Sequence, residues 1–229
     1  MKQRMAFDRP DLVLAGAFYL GMALTGGIGF MVVRPELFAM GDPAQTVSNL
    51  TQQTGFARTG IALDLGGVVF QALAAVWFVR LFRDVDLVAA MSVALFGMVN
   101  AVALLASAAM TWGALDAAAG TAGADPAIGY LLLMIGSHFW QGGAIFFGLW
   151  LIPMGWLVLK SGFGPRILAW ILMTGGAGYV AGVFIGVLAP DAGLWVGALP
   201  LLATVGEFWM IGLLFWKGLR PRKPESAPS

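Results

Sequence analysis

Residues 137–166 read SHFWQGGAIFFGLWLIPMGWLVLKSGFGPR, and this stretch decides the fold. It contains His138, the only histidine of the chain, and it carries no lysine, arginine, aspartate or glutamate until Lys160. A helix needs about 20 predominantly apolar residues to cross the hydrocarbon core of a bilayer, and this run is long enough. The stretch therefore predicts a transmembrane helix, and the pattern recurs along the rest of the chain.

The composition also predicts a membrane protein whose main partner is the lipid bilayer. Of the 229 residues, 59% are hydrophobic and only 11% are charged, whereas about a quarter are charged in soluble domains. The absence of cysteine excludes disulfides, thiolate metal ligands and a cysteine nucleophile. A net charge of +1 argues against a nucleic-acid partner. The sequence leaves the oligomeric state open.

The apolar segments predict an all-α, polytopic bundle with six transmembrane helices. A short helix is expected in the first extracytoplasmic loop, because Asp42, Pro43 and Gln45 form a typical helix start. We expect this transmembrane domain to cover residues 11–218, between a cytoplasmic N-terminus (1–10) and a disordered basic tail (219–229). The expected spans are about 12–33, 57–80, 87–112, 127–160, 165–188 and 193–217, with the loop helix at 43–54.

Small residues at intervals of four predict close helix packing on two of these spans, because they let neighbouring backbones approach. The first span carries Ala17, Gly21, Thr25 and Gly29, and the fifth carries Thr174, Gly178, Gly182 and Gly186.

The basic residues predict the orientation. Eleven of the 13 lysines and arginines fall on the side of the two termini, which leaves Arg34 and Arg58 on the other side. Cytoplasmic loops carry an excess of basic residues. We therefore expect a multi-pass membrane protein with both termini in the cytoplasm.

Polar residues inside the predicted spans are the candidates for an outward-facing pocket, because such groups are costly in lipid and face the bundle interior. His138 and Gln141 share a helix face, and Trp140 is an aromatic candidate beside them. For Asn100 and Gln141 we favour a packing role through hydrogen bonds between helices. For His138 and Glu207 a proton-exchanging role and a packing role remain equally open. The pocket candidates are Asp64, Asn100, His138, Trp140, Gln141 and Glu207.

A second group of candidates, Asp42, Thr46, Asn49 and Arg58, lies in or beside the loop helix. Arg58 and Asp64 are six residues apart and so lie on different helix faces, which argues against a direct pair. Arg58 is expected either to reach the outer membrane interface or to pair with Asp42. Asp42 is interpreted mainly as a helix cap. Thr46 and Asn49 either line a lid or are simply solvated, and we favour solvation.

Neither a metal site nor a cofactor is expected. One histidine and no cysteine provide too few ligands for a metal. No nucleophile-elbow, phosphate-loop or dinucleotide motif occurs, and GxxxG in an apolar run is a packing signal.

Several short motifs resemble the bacterial integral-membrane proteins catalogued as domain of unknown function 4386. The resemblance covers about residues 12–218 and implies a shared membrane fold and a location in the bacterial inner membrane, but it brings no known chemistry. One departure is Trp156, where relatives commonly carry a tyrosine. The motifs are Gly41-Asp42 with Thr46 and Asn49, Arg58 with Asp64, Ser137-His138, FFGLWL at 146–151, Gly155, SGFGPR at 161–166, Gly178-Tyr179 and Gly206-Glu207.

Three functions remain open from the sequence. The first is binding or transport of a small molecule or proton through the polar pocket. The second is a membrane-embedded enzyme with His138 and Glu207 as acid and base. The third is a structural or accessory subunit with no site of its own.

Overall fold

A computed structural model describes residues 7–121, 125, 127–189, 191 and 194–220. These described residues are almost entirely helical and contain no strand, which confirms the all-α prediction. Residues 1–6 of the predicted N-terminal segment (1–10) and residues 221–229 of the predicted disordered tail (219–229) lie outside them. The elements are α1 (Arg9–Ile28), a π-helical turn (Gly29–Val33), α2 (Arg34–Leu37), α3 (Pro43–Gln52), α4 (Thr54–Phe82), α5 (Leu87–Ala118), α6 (Ala127–Ser161), α7 (Arg166–Leu188) and α8 (Leu194–Leu219).

Six segments are long and apolar enough to cross a membrane, which confirms the predicted span number. They are α1 with its continuation to Leu37, then α4, α5, α6, α7 and the part of α8 from Leu201 to Leu219. Large apolar side chains cover the outer surface; Val88, Val187 and Leu188 are each at least 76% exposed. Exposed apolar surface on this scale is typical of lipid contact. The chain is therefore a multi-pass membrane protein.

Each long helix packs on the next one in sequence from α4 to α8, and α1 packs against both α4 and α8. The six helices thus form a closed ring around an apolar core. The largest buried side chains of this core include Trp150, Phe78 and Phe82. The helix α3 lies across one end of the ring, on α4, α5 and α6. We call this the α3 end, and the opposite end, which carries Lys160, the Lys160 end.

Two predicted boundaries are wrong. The first span does not end at Val33 but continues without a break to Leu37. The third span extends to Ala118, six residues into the region predicted as a loop, since this part is rich in alanine, the best helix former. Ala114 and Ala118 are also buried against an apolar cluster at the α3 end, which stabilises the extra turns.

The small-residue pattern on α1 is confirmed at Gly21 but not at Ala17, which is exposed. On α7 it is wrong at Thr174 and Gly186, and it stays a prediction at Gly178 and Gly182. A Cβ on Gly21 would lie 2.8 Å from the Phe70 ring. On α7, however, Thr174 is exposed and a Cβ on Gly186 would meet nothing within 4 Å. The close contacts there are made by the adjacent glycines: Gly175 approaches Ala203 and Gly176 approaches Gly148.

Candidate functional site

A buried ion pair occupies the interior near the α3 end. Arg34 Nη2 lies 3.3 Å from Asp64 Oδ2 and donates a hydrogen bond to Ser107 Oγ at 2.8 Å. The Arg34 side chain is 22% exposed and the Asp64 side chain only 6%. Helices α4 and α5 each supply one polar residue, and the cation comes from the end of the first span. Opposite charges brought so close inside a membrane offset part of their individual desolvation costs.

The π-helical turn precedes Arg34 directly. The Arg34 N–H donates to the carbonyl of Gly29, five residues back, where an α-helix would use the fourth residue back. A Cβ on Gly29 would lie 3.0 Å from Asp64 Oδ1, so the carboxylate approaches the turn itself. Such turns are rare and frequently occur at functional sites.

The Trp140 ring also contacts the Arg34 guanidinium. Its ring lies 4.4 Å from Arg34 Cζ, and it stacks on Phe30 with ring centroids 5.6 Å apart and an angle of 6° between the planes. A cation over an indole face is attracted by the ring quadrupole. Trp140, a sequence-predicted pocket residue, thus contacts the ion pair.

A cavity of about 50 Å³ opens beside the pair. One ordered water needs roughly 10–15 Å³ of such space, so the cavity has room for a few waters or one very small solute. Ser137 and Thr111 add hydroxyl groups to its wall. The residues that line it are Gly29, Val33, Arg34, Leu37, Phe38, Gly60, Asp64, Thr111, Leu133 and Ser137.

Two polar atoms of the ion pair have no hydrogen-bond partner among the described residues. They are Arg34 Nε, a donor, and Asp64 Oδ1, an acceptor, and both are buried. Buried polar groups are normally paired because an orphaned one costs about 1–3 kcal/mol. The pair therefore retains one donor and one acceptor whose hydrogen bonds the described residues do not supply.

The loop residues hold α3 in place over this end. Asp42 caps α3 by accepting a hydrogen bond from the Gln45 N–H at 2.9 Å, as predicted. Thr46 is fully buried and exchanges hydrogen bonds with the backbone of Ala39, so its predicted solvation is wrong. Asn49 donates to the Glu36 carbonyl at 3.0 Å. These bonds join α3 to the end of the first span.

Arg58 is exposed and forms no ion pair within the described part of the chain, so its alternative pairing with Asp42 is not found. The conclusion that Arg58 does not pair with Asp64 is correct, because Asp64 uses Arg34 instead.

Asn100 lies deeper in the bundle, where it donates to Gln71 Oε1 at 3.1 Å. Both residues are buried, and the pair joins α5 to α4. This geometry matches the predicted hydrogen bond between helices.

Glu207 is buried in a separate polar site. Its Oε1 accepts a 2.8 Å hydrogen bond from Tyr19 Oη, and Tyr179 of α7 interacts with it electrostatically. The rings of Tyr19 and Trp150 lie 5.3 Å apart, and those of Tyr179 and Phe147 lie 5.1 Å apart.

His138 does not share this site, and neither does Gln141. Both side chains are exposed on the surface of α6. His138 precedes Phe147 by nine residues and Trp150 by twelve, which puts it about 14–18 Å away along the helix. The hypothesis of one cavity shared by His138 and Glu207 is wrong for this structure. It failed because helical spacing places residues on a common face but does not say whether that face turns inward.

Sequence reasoning missed Arg34, Ser107 and Tyr19. The apolar run of the first span ends at Val33, so the sequence predicts that Arg34 lies beyond this span. A signal was present, however: the buried Asp64 needs a cation, and Arg58 is on the wrong face. Arg34 is then the remaining cation at this end.

One family model matches residues 14–218 and is described as "Domain of unknown function (DUF4386)". The match covers most of the 229 residues. No curated protein and no solved structure is significantly similar to the chain. The chain belongs to the DUF4386 family, as the resemblance of its motifs indicates.

Proposed function

We propose that this member of the DUF4386 family binds a small, uncharged polar solute at the Arg34–Asp64 pair, reached from the extracytoplasmic side of the bacterial inner membrane. The observation that supports this function is a small cavity lined by Arg34 and Asp64, two residues that also carry one unpartnered donor and one unpartnered acceptor.

The charge of the site favours an uncharged solute. Arg34 and Asp64 neutralise each other, so a charged ligand would leave a net charge in a membrane interior, where ions are costly. A solute with an acceptor for Arg34 Nε and a donor for Asp64 Oδ1 satisfies both orphaned atoms. Primary amides and ureas carry both groups side by side.

The size of the cavity limits the solute. Pockets for drug-sized ligands enclose about 300–1,000 Å³, whereas this cavity measures about 50 Å³. The fitting class therefore contains molecules of a few heavy atoms, such as formamide, acetamide and urea.

The distribution of basic residues supports an extracytoplasmic opening. The α3 end carries Arg34 and Arg58, whereas Arg80, Arg83, Lys160 and Arg166 lie near the other end. Because cytoplasmic segments are enriched in basic residues, we infer that both termini and the Lys160 end face the cytoplasm.

The alternative of an enzyme that uses His138 and Glu207 receives no support, since the two residues lie apart. If no solute binds, the remaining interpretation is a structural or accessory subunit without a binding site.

Saturation-transfer NMR on the protein in nanodiscs tests the proposal, with formamide, acetamide and urea as probes. The wild type should transfer saturation to at least one probe, and Arg34→Gln and Asp64→Asn should abolish the transfer. Arg58→Gln and Asp116→Asn are matched controls, since they change exposed residues of the same types and should bind as the wild type does. Ser107→Ala adds a milder variant that should weaken binding without removing either charge.

The orientation is tested with sealed right-side-out vesicles, in which externally added probe should reach the site. Absence of transfer from all three probes, or equal transfer in the Arg34→Gln and Arg58→Gln proteins, would overturn the proposal.

A further inference from the structure

A groove of about 380 Å³ lies on the outer surface of the bundle, toward the Lys160 end. Its floor is one face of α6, where Leu149, Ile152, Pro153 and Trp156 recur at intervals of three and four residues. From Leu149 to Trp156 the helix rises by about 10.5 Å. One leaflet contributes about 15 Å of the hydrocarbon core. The groove therefore follows most of the depth of one leaflet.

Helices α5 and α7 form the walls of this groove. Ser92 and Phe96 line it from α5, and Met173 lines it from α7. The Ser92 hydroxyl donates to the Val88 carbonyl of its own helix at 2.8 Å, so its proton is already used. The groove thus presents mainly hydrocarbon. Its volume falls within the range of about 300–1,000 Å³ that is typical of ligand pockets.

Trp156 connects the groove to a charged group at its mouth. The Trp156 indole N–H donates to Asp86 Oδ2 at 3.3 Å, and the same oxygen accepts a 2.7 Å hydrogen bond from Lys160 Nζ. Lys160 follows Trp156 by four residues and so continues the same face of α6. Its side chain is 46% exposed. An ammonium group has three N–H donors, and the bond to Asp86 uses one of them.

Arg166 provides a second cation beside the mouth. It is the exposed first residue of α7 and precedes Met173 by seven residues, so the two share a helix face. This face turns toward α6, because a Cβ on Gly155 would lie 2.6 Å from Met173 Cγ. Lys160, Arg166 and Asp86 together carry a net positive charge.

We propose that this groove binds an anionic phospholipid from the leaflet at the Lys160 end. One acyl chain lies along α6 between α5 and α7, and the phosphate lies at Lys160 and Arg166. Tryptophan at the membrane interface is typical of the headgroup level, which fits the position of Trp156 one turn before Lys160.

The shape of the groove distinguishes this lipid from the lipids around the rest of the bundle. A chain in the groove contacts three helices, and the many weak dispersion contacts of such a chain add up. The site is also distinct from the Arg34–Asp64 cavity, which lies near the other end of the bundle, and neither site requires the other.

Native mass spectrometry of the delipidated protein tests the headgroup, with dioleoyl phosphatidylglycerol and dioleoyl phosphatidylcholine as probes. The two lipids have the same chains, and only the first has a net negative charge. The wild type should bind one phosphatidylglycerol more tightly than it binds phosphatidylcholine. Lys160→Gln should weaken phosphatidylglycerol binding about fivefold, the effect of one cation near an anionic lipid, and leave phosphatidylcholine binding unchanged. Arg58→Gln removes an exposed cation at the α3 end and should bind as the wild type does.

Asp86→Asn separates the charge of Lys160 from a structural role of the Lys160–Asp86 pair. Removing the carboxylate leaves the lysine charge to the phosphate, so phosphatidylglycerol binding should strengthen. If Asp86→Asn weakened this binding as Lys160→Gln does, the intact ion pair would be what the groove needs, and the assignment of the phosphate to Lys160 would be overturned.

Ser92→Phe tests the position of the chain, because a ring on this wall fills the groove and should weaken the binding of both lipids. Val76→Phe is the matched control, since it adds the same ring to α4 at a 50% exposed position at similar depth, outside the groove. Equal affinity of the wild type for the two lipids would overturn the proposal. Equal lipid binding by the Ser92→Phe and Val76→Phe proteins would overturn it as well.

Discussion

The described part of the protein contains two arginine–aspartate pairs, one near each end of the bundle, and they differ in their exposure to solvent. At the Lys160 end, Arg80 Nε lies 2.6 Å from Asp11 Oδ2, and the Arg80 side chain is 58% exposed. Near the α3 end, the contact between Arg34 and Asp64 is longer, 3.3 Å, and the Arg34 side chain is only 22% exposed.

Their positions explain the difference. Asp11 lies in the first turn of α1 and Arg80 in the last turn of α4, where each charge also interacts favourably with its helix dipole. Arg34 and Asp64 lie within their spans and keep one unpartnered atom each. The same two residue types thus link two helix ends in one place and border a cavity in the other.

Replacing Arg34 should have the largest effect on the stability of the protein. Arg34→Leu leaves Asp64 buried without its cation, which should lower the free energy of unfolding by about 3–5 kcal/mol. Reversible unfolding in mixed micelles measures this value. The double variant Arg34→Leu/Asp64→Leu should recover much of the loss, since neither charge remains buried. A single-variant loss below about 1 kcal/mol, the value of an exposed pair, would contradict the distinction between the two pairs.

Removing the pair at the Lys160 end should cost much less. Asp11→Asn is expected to lower the free energy of unfolding by about 0–1 kcal/mol, because Arg80 is largely exposed and its charge is screened by water. Added salt should reduce the difference in the free energy of unfolding between Asp11→Asn and the wild type. It should leave the corresponding difference between Arg34→Leu and the wild type unchanged. Equal salt dependence of both differences would mean that the Arg34–Asp64 pair is as hydrated as the Arg80–Asp11 pair.

Replacing Asp86, in the turn before α5, should have the smallest effect on stability. Its hydrogen bond from Lys160 lowers the pKa of the carboxyl to about 2 from 3.8, with further bonds from the Ala89 N–H and the Trp156 indole. Because the pKa is depressed in the folded state, this stabilisation is complete above the unfolded pKa and is lost as the pH falls through about 2. The measurement is the thermal midpoint of the wild type and Asp86→Asn between pH 7 and pH 2.

The two midpoints should differ at pH 7 and converge between about pH 4 and pH 2. A constant difference across this range would show that the Asp86 charge contributes nothing.

The span number could be predicted because it depends on local hydropathy, which six uninterrupted apolar runs make plain. The cap at Asp42 was equally local, since its partner Gln45 is three residues away. The site could not be predicted in this way. Arg34 and Asp64 are 30 residues apart, and Tyr19 and Glu207 are 188 apart. Their pairing depends on which helices become neighbours and on how each one is rotated.

The helix α6 illustrates how the rotation of a helix decides which of its residues face the interior. Its sequence carries His138, Trp140 and Gln141 within one turn, and only Trp140 turns toward the ion pair. The hydrophobicity of α6 is nearly the same all round, so no apolar stripe marks the buried side.

The π-helical turn at Gly29–Val33 makes the direction of Arg34 depend on the length of this segment. A point substitution at the exposed Met31 or Val32 keeps the number of residues, and the direction of Arg34 with it. Deleting any one of the five residues would restore a continuous α-helix, turn Arg34 by about 100° around the axis and draw it back by about 1.5 Å. The guanidinium would then leave Asp64, although every chemical group of the site would still be encoded. For this pair, the length of one short segment matters more than the identity of its exposed residues Met31 and Val32.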